Sequence, residues 1–354
     1  MVAALCASAA LAGAASPAGS SRQLSLDRAQ LAYASLAGYA DVHATDNQAD
    51  GSYAWPISQE IAAGAAMAAL PVGSARYRST IPSTLAVLDR YWQPGGLGGY
   101  ASAAVPPFGP GGAEFYDDNE WIALDLLAAY NLGLAPSGLA RARAVFRLVA
   151  SGWAAGATTC PGGVYWERSP ENRDRNAVTT ENGALLAGEL YIATGARDYL
   201  RWARRMFVWS DRCLTRDDGL LADHLAPDGS RDERAWSYNQ GARVAAAVLL
   251  WRATGDTRYL DSAERTTAAA LTAYGTFEGE PRIFAAIFFR DVDLLDAVRP
   301  QPAYRAALAA YGDAVWSSGW DPTTGTFGTG WSTLDQAAAV QIYALLAGSA
   351  FQGP

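Results

Sequence analysis

Helical periodicity runs through almost the whole chain. Apolar residues recur at the spacing of one helix face in about twelve stretches of roughly 15–20 residues, separated by loops rich in Gly, Pro, Asp and Asn. The predicted helices cover 24–42, 57–70, 76–92, 118–132, 138–154, 180–194, 197–214, 238–254, 257–273, 281–296, 302–317 and 332–347. Strand-like pieces such as 163–166 do not alternate regularly with these helices, so the pattern argues against an α/β fold.

An internal repeat indicates how the helices are connected. Residues 191–205 (YIATGARDYLRWARR) align without gaps to residues 251–265 (WRATGDTRYLDSAER). Each copy is typical of a helix that ends at a glycine C-cap, followed by a tight turn and a second helix that packs back. Twelve helices arranged as six such hairpins predict an all-α fold, an (α/α)6 toroid. No low-complexity linker interrupts the chain, so we expect a single domain over residues 21–354.

The first residues have the composition of an export signal. Residues 2–15 are almost entirely small and apolar, which predicts a signal peptide over residues 1–20 and a secreted or cell-envelope protein. Nothing basic precedes the apolar stretch, as though the start of the signal were truncated. No segment is long and apolar enough to predict a membrane span. Cys160 and Cys213 remain after cleavage, and they form either one disulfide or two buried thiols.

Charge and histidine content exclude several classes of function. The chain has 27 basic and 35 acidic residues and a net charge of −8, which argues against a nucleic-acid partner that would need a basic face. Two histidines leave little material for a histidine metal site or a Ser-His-Asp triad. We therefore expect no metal, no cofactor and a monomer.

Polar and aromatic clusters stand where several predicted helices begin. In a ring of helical hairpins alternate helices run the same way, so the inner helices present their N-termini at one end. The clusters at these starts are 115–119, 179–182, 236–240 and 331–333. Each cluster alone is explicable as helix capping. Together they predict a polar, aromatic-walled cleft suited to carbohydrate, because rings stack on sugar faces and carboxylates bind hydroxyl groups.

Two adjacent carboxylates, Asp117 and Asp118, give this cleft its candidate chemistry. Neighbouring carboxylates repel, so the pKa of one rises and it can stay protonated, while the helix N-terminus stabilises the other as an anion. One acid and one carboxylate are what a glycosidase needs. Such a pair at a helix start is also explained by the helix dipole alone, and Asp217-Asp218 is a second pair in this chain.

The setting of the pair resembles a known family. The sequence FYDDNEWIALDLL at 115–127 resembles the acidic motif of glycoside hydrolase family 76, the retaining endo-α-1,6-mannanases. Further similar stretches follow in the family's order: VYWE at 164–167, TTENGALLAGELYIATG at 179–195, DDGLLADHL at 217–225 and WSYNQGARVAAAVLLWRATGD at 236–256. The resemblance covers roughly residues 30–348. A lysine of the family's later segment is absent at 284–286, which puts subsite contacts or substrate range in question.

The resemblance implies roles for individual residues. Asp117 would be the nucleophile, Asp118 the general acid and then the general base, and Asp223 a ligand of sugar hydroxyl groups. Candidates for the wall and floor of the cleft are Tyr116, Trp121, Trp166, Asn182, Trp236, Tyr238 and Asn239. Some of these positions have a structural alternative: Asp223 could be a turn residue and Trp121 a core residue. Glu181 is either a third cleft carboxylate or a capping acid, and Asp125 either supports the pair or forms a salt bridge with an arginine.

The implied activity is hydrolysis of internal α-1,6-mannosidic bonds in α-mannan by a two-Asp double displacement. One alternative is a transglycosylase that passes mannan to another glycan and would have the same cleft. A second is a catalytically silent glycan-binding protein, which the intact aspartate pair disfavours. A third is another toroid enzyme, a uronyl hydrolase or sugar epimerase, although an epimerase would normally use more histidines.

Overall fold

A computed structural model describes residues 17–40, 53–328 and 332–348 of the chain. Within these ranges it contains thirteen α-helices, one of them only five residues long. They are α1 (Pro17–Ala40), α2 (Ala54–Ala68), α3 (Ser74–Arg78), α4 (Ile81–Leu88), α5 (Tyr116–Asn131), α6 (Gly138–Ser151), α7 (Ala177–Thr194), α8 (Arg197–Cys213), α9 (Ser237–Thr254), α10 (Arg258–Tyr274), α11 (Arg282–Asp296), α12 (Pro302–Gly319) and α13 (Thr333–Leu346).

Six helices form a closed inner ring. Helices α2, α5, α7, α9, α11 and α13 pack side by side in that order, and α13 also contacts α2, which closes the ring. The inner helices are rich in alanine and glycine and buried on nearly every side; α7, for example, is buried from Ala177 to Leu190. Small side chains allow inner helices to approach closely; Gly188 on α7, for example, packs against Leu249 on α9. The predicted (α/α)6 toroid is confirmed.

The remaining helices form the outer layer. Helix α8 shows their character, because it buries Met206 and Phe207 on one face and exposes arginines on the other. Helix α1 packs on α13, so the first and the last helix that the structure describes form the sixth inner–outer pair of the ring. None of the helices that the structure describes combines the length and apolarity that crossing a bilayer requires.

The predicted helices agree with the structure to within a few residues, apart from two differences. The predicted helix 76–92 divides into α3 and α4, with Pro82 in the first turn of α4, and is followed by a 3-10 turn over Asp89–Tyr91. The predicted helix 24–42 begins earlier, at Pro17. Of the expected signal peptide, residues 1–16 lie outside the described residues, and residues 17–20 belong to α1.

The glycine C-caps predicted from the repeat are present. Gly195 after α7 has φ 69° and Gly255 after α9 has φ 73°, both in the left-handed region that glycine adopts without strain. The preceding threonines, Thr194 and Thr254, donate their hydroxyl hydrogens to backbone carbonyl groups one turn back. Each cap turns the chain directly into the next outer helix.

In the part of the chain that the structure describes, seven two-residue strands form three small antiparallel sheets. They are β1 (Trp92–Gln93), β2 (Gly99–Tyr100), β3 (Arg175–Asn176), β4 (His224–Leu225), β5 (Arg231–Asp232), β6 (Trp320–Asp321) and β7 (Thr326–Phe327). Strands β1 and β2 pair, β6 and β7 pair, and β3, β4 and β5 form one sheet in that order. Because β3 leads directly into α7, and β5 comes shortly before α9, this sheet lies where inner helices begin.

Cys160 and Cys213 form a disulfide. Their Cα atoms are 6.3 Å apart, and the bridge joins the loop before β3 to the last residue of α8. It is part of a small apolar cluster that also contains Trp209, Leu221 and Leu225. The bridge therefore fastens an outer helix to the end of the ring that carries the three-stranded sheet.

Candidate active site

A cleft with a volume of about 460 Å³ opens where inner helices begin. Helices α2, α5, α7, α9 and α11 contribute residues of their first turns, and the loops that connect the hairpins add the remaining wall. The lining residues are Trp55, Asp117, Asp118, Trp121, Trp166, Asn172, Asp174, Asn176, Val178, Asp223, His224, Arg234, Trp236, Tyr238 and Phe284. Carboxylates, amides and aromatic rings therefore share one open concave surface.

The start of α5 is fixed to a neighbouring loop. Phe115, its N-cap residue, has extended backbone angles and forms an antiparallel bridge with Glu167. The backbone amide of Tyr116 donates a hydrogen bond to the carbonyl oxygen of Trp166 at 2.9 Å. These contacts bring Trp166 beside the first turn of α5, which contains both Asp117 and Asp118.

The two aspartates have different surroundings. The indole Nε1–H of Trp166 donates a hydrogen bond to Asp117 Oδ2 at 3.0 Å. Burial raises the pKa of Asp117 to about 6, the Trp166 hydrogen bond and backbone amides oppose this rise, and the charge of Asp223 adds to it. Burial and then the charge of Asp117 raise the pKa of Asp118 well above its usual value. These surroundings favour the anion at Asp117 and the proton at Asp118.

Asp223 is nearly buried at the base of the three-stranded sheet. Its backbone amide donates to the carbonyl oxygen of Asp232 at 2.9 Å, and its own carbonyl oxygen accepts from the amide of Ala177 at 2.8 Å. The side chain forms a 2.9 Å hydrogen bond with His224 Nδ1. The fixed backbone holds Asp223 in the wall of the cleft that Asp117 and Asp118 also line.

An aromatic cluster forms much of the remaining wall. The ring centroids of Tyr238 and Phe284 are 4.0 Å apart, and those of Trp236 and Phe284 are 5.7 Å apart. Trp55 lies 6.4 Å from Phe284 and completes the cluster from the start of α2. Trp121 is 2% exposed and contacts Tyr238, so it belongs to the core while one edge reaches the cleft. Planar rings at one wall are suited to stacking on sugar faces.

Three of the ten candidate residues do not line this cleft. Tyr116 is buried between α5 and α6, where its ring contacts Gly152 so closely that a methyl group there would lie 2.7 Å away. Asn182 and Asn239 are fully buried among the inner helices. Helix α7 begins at Ala177, three residues before its predicted start, so Asn182 lies deeper along the helix than expected. The other seven candidates line the cleft.

Two further carboxylates belong to the interior. Glu181 is fully buried and pairs with Arg243 Nη1 at 3.0 Å, so it is neither a cleft carboxylate nor a capping acid. Asp125 lies 3.7 Å from Arg290 Nη1 and accepts a hydrogen bond from Gln59, which supports the salt-bridge alternative. Both acids therefore hold inner helices together.

Sequence reasoning missed several lining residues. Trp55 and Phe284 stand at or near the starts of inner helices, so the rule that identified the other clusters could have found them. Asp174 and Arg234 have no local signal, and His224 belongs to the stretch 217–225 without being among the candidates. The pairing of β3, β4 and β5 brings the three residues together from distant positions.

Asp223, His224 and Asp232 offer ligand atoms within 4.8 Å of one another, close enough for a metal ion. Arg234 already donates hydrogen bonds to both carboxylate oxygens of Asp232, and these bonds lower the pKa of Asp232 to about 2. The arginine supplies the positive charge that a cation would otherwise bring. The group is therefore better suited to a hydrogen-bonded ion network than to a metal.

Curated proteins similar to this chain are mannosidases. The mannan endo-1,6-alpha-mannosidase DCW1 of Candida albicans is 27% identical over 258 residues, which cover 58% of this chain and 54% of that protein. DCW1 of Candida glabrata is 30% identical over 131 residues, covering 34% of this chain and 28% of that protein. The alignments thus span between about a quarter and about half of these relatives' length.

Solved structures share the fold. A family 76 glycoside hydrolase (mannosidase) from Bacteroides thetaiotaomicron has a TM-score of 0.79 at 23% identity, covering 92% of this chain and 98% of that chain. An inactive variant of an α-1,6-mannanase of Salegentibacter sp., in complex with α-1,6-mannotriose, has a TM-score of 0.72 at 17% identity, covering 94% of this chain and 100% of that chain.

A family model described as glycosyl hydrolase family 76 matches residues 27–347. This range includes the entire inner ring and every residue that lines the cleft. The chain belongs to glycosyl hydrolase family 76.

Proposed function

We propose that the protein is a retaining endo-α-1,6-mannanase, exported as a monomer with a single catalytic domain over residues 21–354. The observation that carries the proposal is the unequal aspartate pair in the first turn of α5, with Trp166 hydrogen-bonded to Asp117 only. The names of the similar DCW1 proteins support mannan as the substrate. The Salegentibacter mannanase was inactivated by replacing two adjacent aspartates with asparagine, which supports a role for an adjacent pair.

In the first step, the Asp117 carboxylate attacks the anomeric carbon of the mannosyl unit and forms an ester. The proton of Asp118 passes to the glycosidic oxygen as its bond to the anomeric carbon breaks. The hydrogen bond from Trp166 and the N-terminus of α5 stabilise the Asp117 anion before the attack. Burial keeps Asp118 protonated until it acts.

In the second step, Asp118 is a carboxylate and serves as the base. It takes a proton from a water molecule whose oxygen attacks the anomeric carbon, and the ester bond to Asp117 breaks. Two displacements at the same carbon return the original configuration. Asp118 regains its proton and Asp117 its charge, so the pair is ready for another substrate.

The cleft supports a polymeric substrate. It is open, and its aromatic wall extends from Trp236 to Trp55, which offers stacking surfaces for more than one sugar ring. Asp223 stands close to Asp117 and can accept hydrogen bonds from the hydroxyl groups of the reacting sugar. Export to the medium or the cell envelope would bring the enzyme to mannan.

Incubation with linear α-1,6-mannan, followed by chromatography and by NMR of the anomeric configuration, tests the proposal. We expect short oligosaccharides with retained α-configuration, and we expect Asp117→Asn and Asp118→Asn to abolish their release. Asp217→Asn is the matched control, because it alters an adjacent aspartate pair in an exposed turn. Release of mannose alone, an inverted product or equal loss in the control would refute the proposal. Products longer than the substrate would indicate a transglycosylase.

A further inference from the structure

We propose that His224 is a positioning residue that holds the Asp223 carboxylate in its substrate-binding orientation. The inference rests on the proposed function, because that proposal names Asp223 as the residue that binds the hydroxyl groups of the reacting sugar. His224 belongs to the stretch 217–225 that pointed to Asp223, and its position is set by the pairing of three strands that are distant in sequence.

The geometry confines the His224 ring between carboxylates. Its Nδ1 lies 2.9 Å from Asp223 Oδ2, and its Nε2 lies 3.8 Å from Asp174 Oδ2. In the sheet, His224 stands directly opposite Asp232, whose charge is paired with Arg234. An ionised carboxylate can only accept hydrogen bonds, so Nδ1–H is the donor to Asp223.

Asp223 needs such a partner because of its surroundings. Its backbone is fixed on both sides by hydrogen bonds to Ala177 and Asp232, but its carboxylate stands close to the negative charge of Asp117. Repulsion between the two anions would turn the Asp223 side chain away from the reacting sugar. The imidazole N–H holds Oδ2, which leaves Oδ1 as the acceptor available to a hydroxyl group in the cleft that Asp223 lines.

This arrangement can be tested with a double-mutant cycle on the full-length enzyme. His224→Ala should lower kcat/KM on α-1,6-mannan by roughly 10- to 100-fold, the effect of a lost hydrogen bond to a charged group. In an Asp223→Asn background the same substitution should lower kcat/KM less than about 2-fold, since the anion it orients is gone. His224→Asn, whose amide can still donate to Asp223, should recover most of the loss.

Two controls separate orientation from general damage. Asp256→Asn, on the turn between α9 and α10, removes a surface acid bonded to Arg258 and should leave activity unchanged in both backgrounds. Thermal unfolding should give similar midpoints for the His224 variants and the parent. A loss from His224→Ala of equal size in both backgrounds would overturn the inference.

The remaining outcomes also decide the matter. A loss of activity in EDTA that Zn²⁺ restores would overturn the inference, because a cation would then hold Asp223. Less than a 3-fold effect of Asp223→Asn alone would refute Asp223 as the sugar ligand, and with it this inference, while leaving the aspartate pair intact. An enzyme inactive on mannan would refute the proposed function itself and the inference that rests on it.

Discussion

Replacing Trp166 with Phe should shift the pH dependence of the enzyme. The substitution removes the indole N–H that donates to Asp117 Oδ2 at 3.0 Å. It keeps an aromatic ring, which can still pack against Phe115, whose centroid lies 4.9 Å from that of Trp166. The change therefore isolates one hydrogen bond to the side chain proposed as the nucleophile.

The size of the shift follows from the energy of that bond. A hydrogen bond to a charged group contributes about 1.5–3 kcal/mol, and one pKa unit corresponds to about 1.4 kcal/mol. The bond stabilises only the ionised form, so its loss should raise the pKa of Asp117, now about 6, by roughly one to two units. Asp117 must be ionised to attack, so the acidic limb of kcat/KM should move to higher pH by the same amount.

The assay is kcat/KM on α-1,6-mannan between pH 4 and pH 9. We expect the variant to lose roughly 10- to 100-fold at pH 5 and much less at pH 9, where Asp117 is ionised in both proteins. Trp236→Phe is the matched control, because Trp236 lines the same cleft and, within the described part of the chain, forms no hydrogen bond with either aspartate. It should change kcat/KM by a factor that does not depend on pH. An unchanged acidic limb in Trp166→Phe would refute the reasoning.

Three further predictions concern the pair, the interior and the disulfide. The Asp118→Asn variant should carry out the first displacement on a dinitrophenyl mannoside, because that leaving group needs little protonation. Azide should then react with the glycosyl-enzyme and give a product of retained configuration. The Asp117→Asn variant should show neither the first displacement nor the azide product. Burial raises the pKa of Glu189 from 4.5 to about 8, so the neutral form is favoured in the folded protein and folding stability is lost as pH rises from about 4.5 to 8. Glu189→Gln should leave the free energy of unfolding unchanged at pH 4 and raise it by up to about 5 kcal/mol at pH 8, measured by urea denaturation; an equal gain at both pH values would contradict this. Because Cys160 and Cys213 are separated by 53 positions, replacing both with Ala should lower the free energy of unfolding by about 4 kcal/mol, and free-thiol labelling of the denatured, unreduced parent would contradict the bridge.

The fold was accessible from the sequence because helical periodicity is local. All but two of the predicted helices appear within a few residues, since the burial of one face sets both the pattern and the structure. The helix predicted at 24–42 begins earlier, at Pro17. The stretch 76–92 divides where an apolar pattern continues across Pro82, because a proline at that position favours the start of a new helix. The glycine caps after α7 and α9 were equally local, and both are confirmed.

Only part of the site could be predicted from the sequence. Helix starts pointed to Asp117, Trp236 and Tyr238, but a three-residue error in the start of α7 was enough to misplace Asn182. Each residue adds about 1.5 Å along the helix axis, so Asn182 lies roughly 4.5 Å deeper than expected. The environment of Asp223 depends on strands two residues long, which are too short to leave a periodic signal. The tertiary structure was therefore needed to place Asp174 and His224 beside Asp223.

The division of roles proposed for the aspartate pair depends on hydrogen bonds that reach Asp117. Burial raises the pKa of both carboxylates, while backbone amides at the start of α5 and the indole of Trp166 lower the pKa of Asp117. The loop at 164–167 provides the indole, because its bridge between Phe115 and Glu167 and the hydrogen bond from Tyr116 to Trp166 fix which aspartate the indole reaches. A shift of that bridge by one residue would turn the Trp166 side chain to the other face. We therefore expect the backbone pairing outside the helix to help decide which of the two aspartates is the anion and which retains the proton.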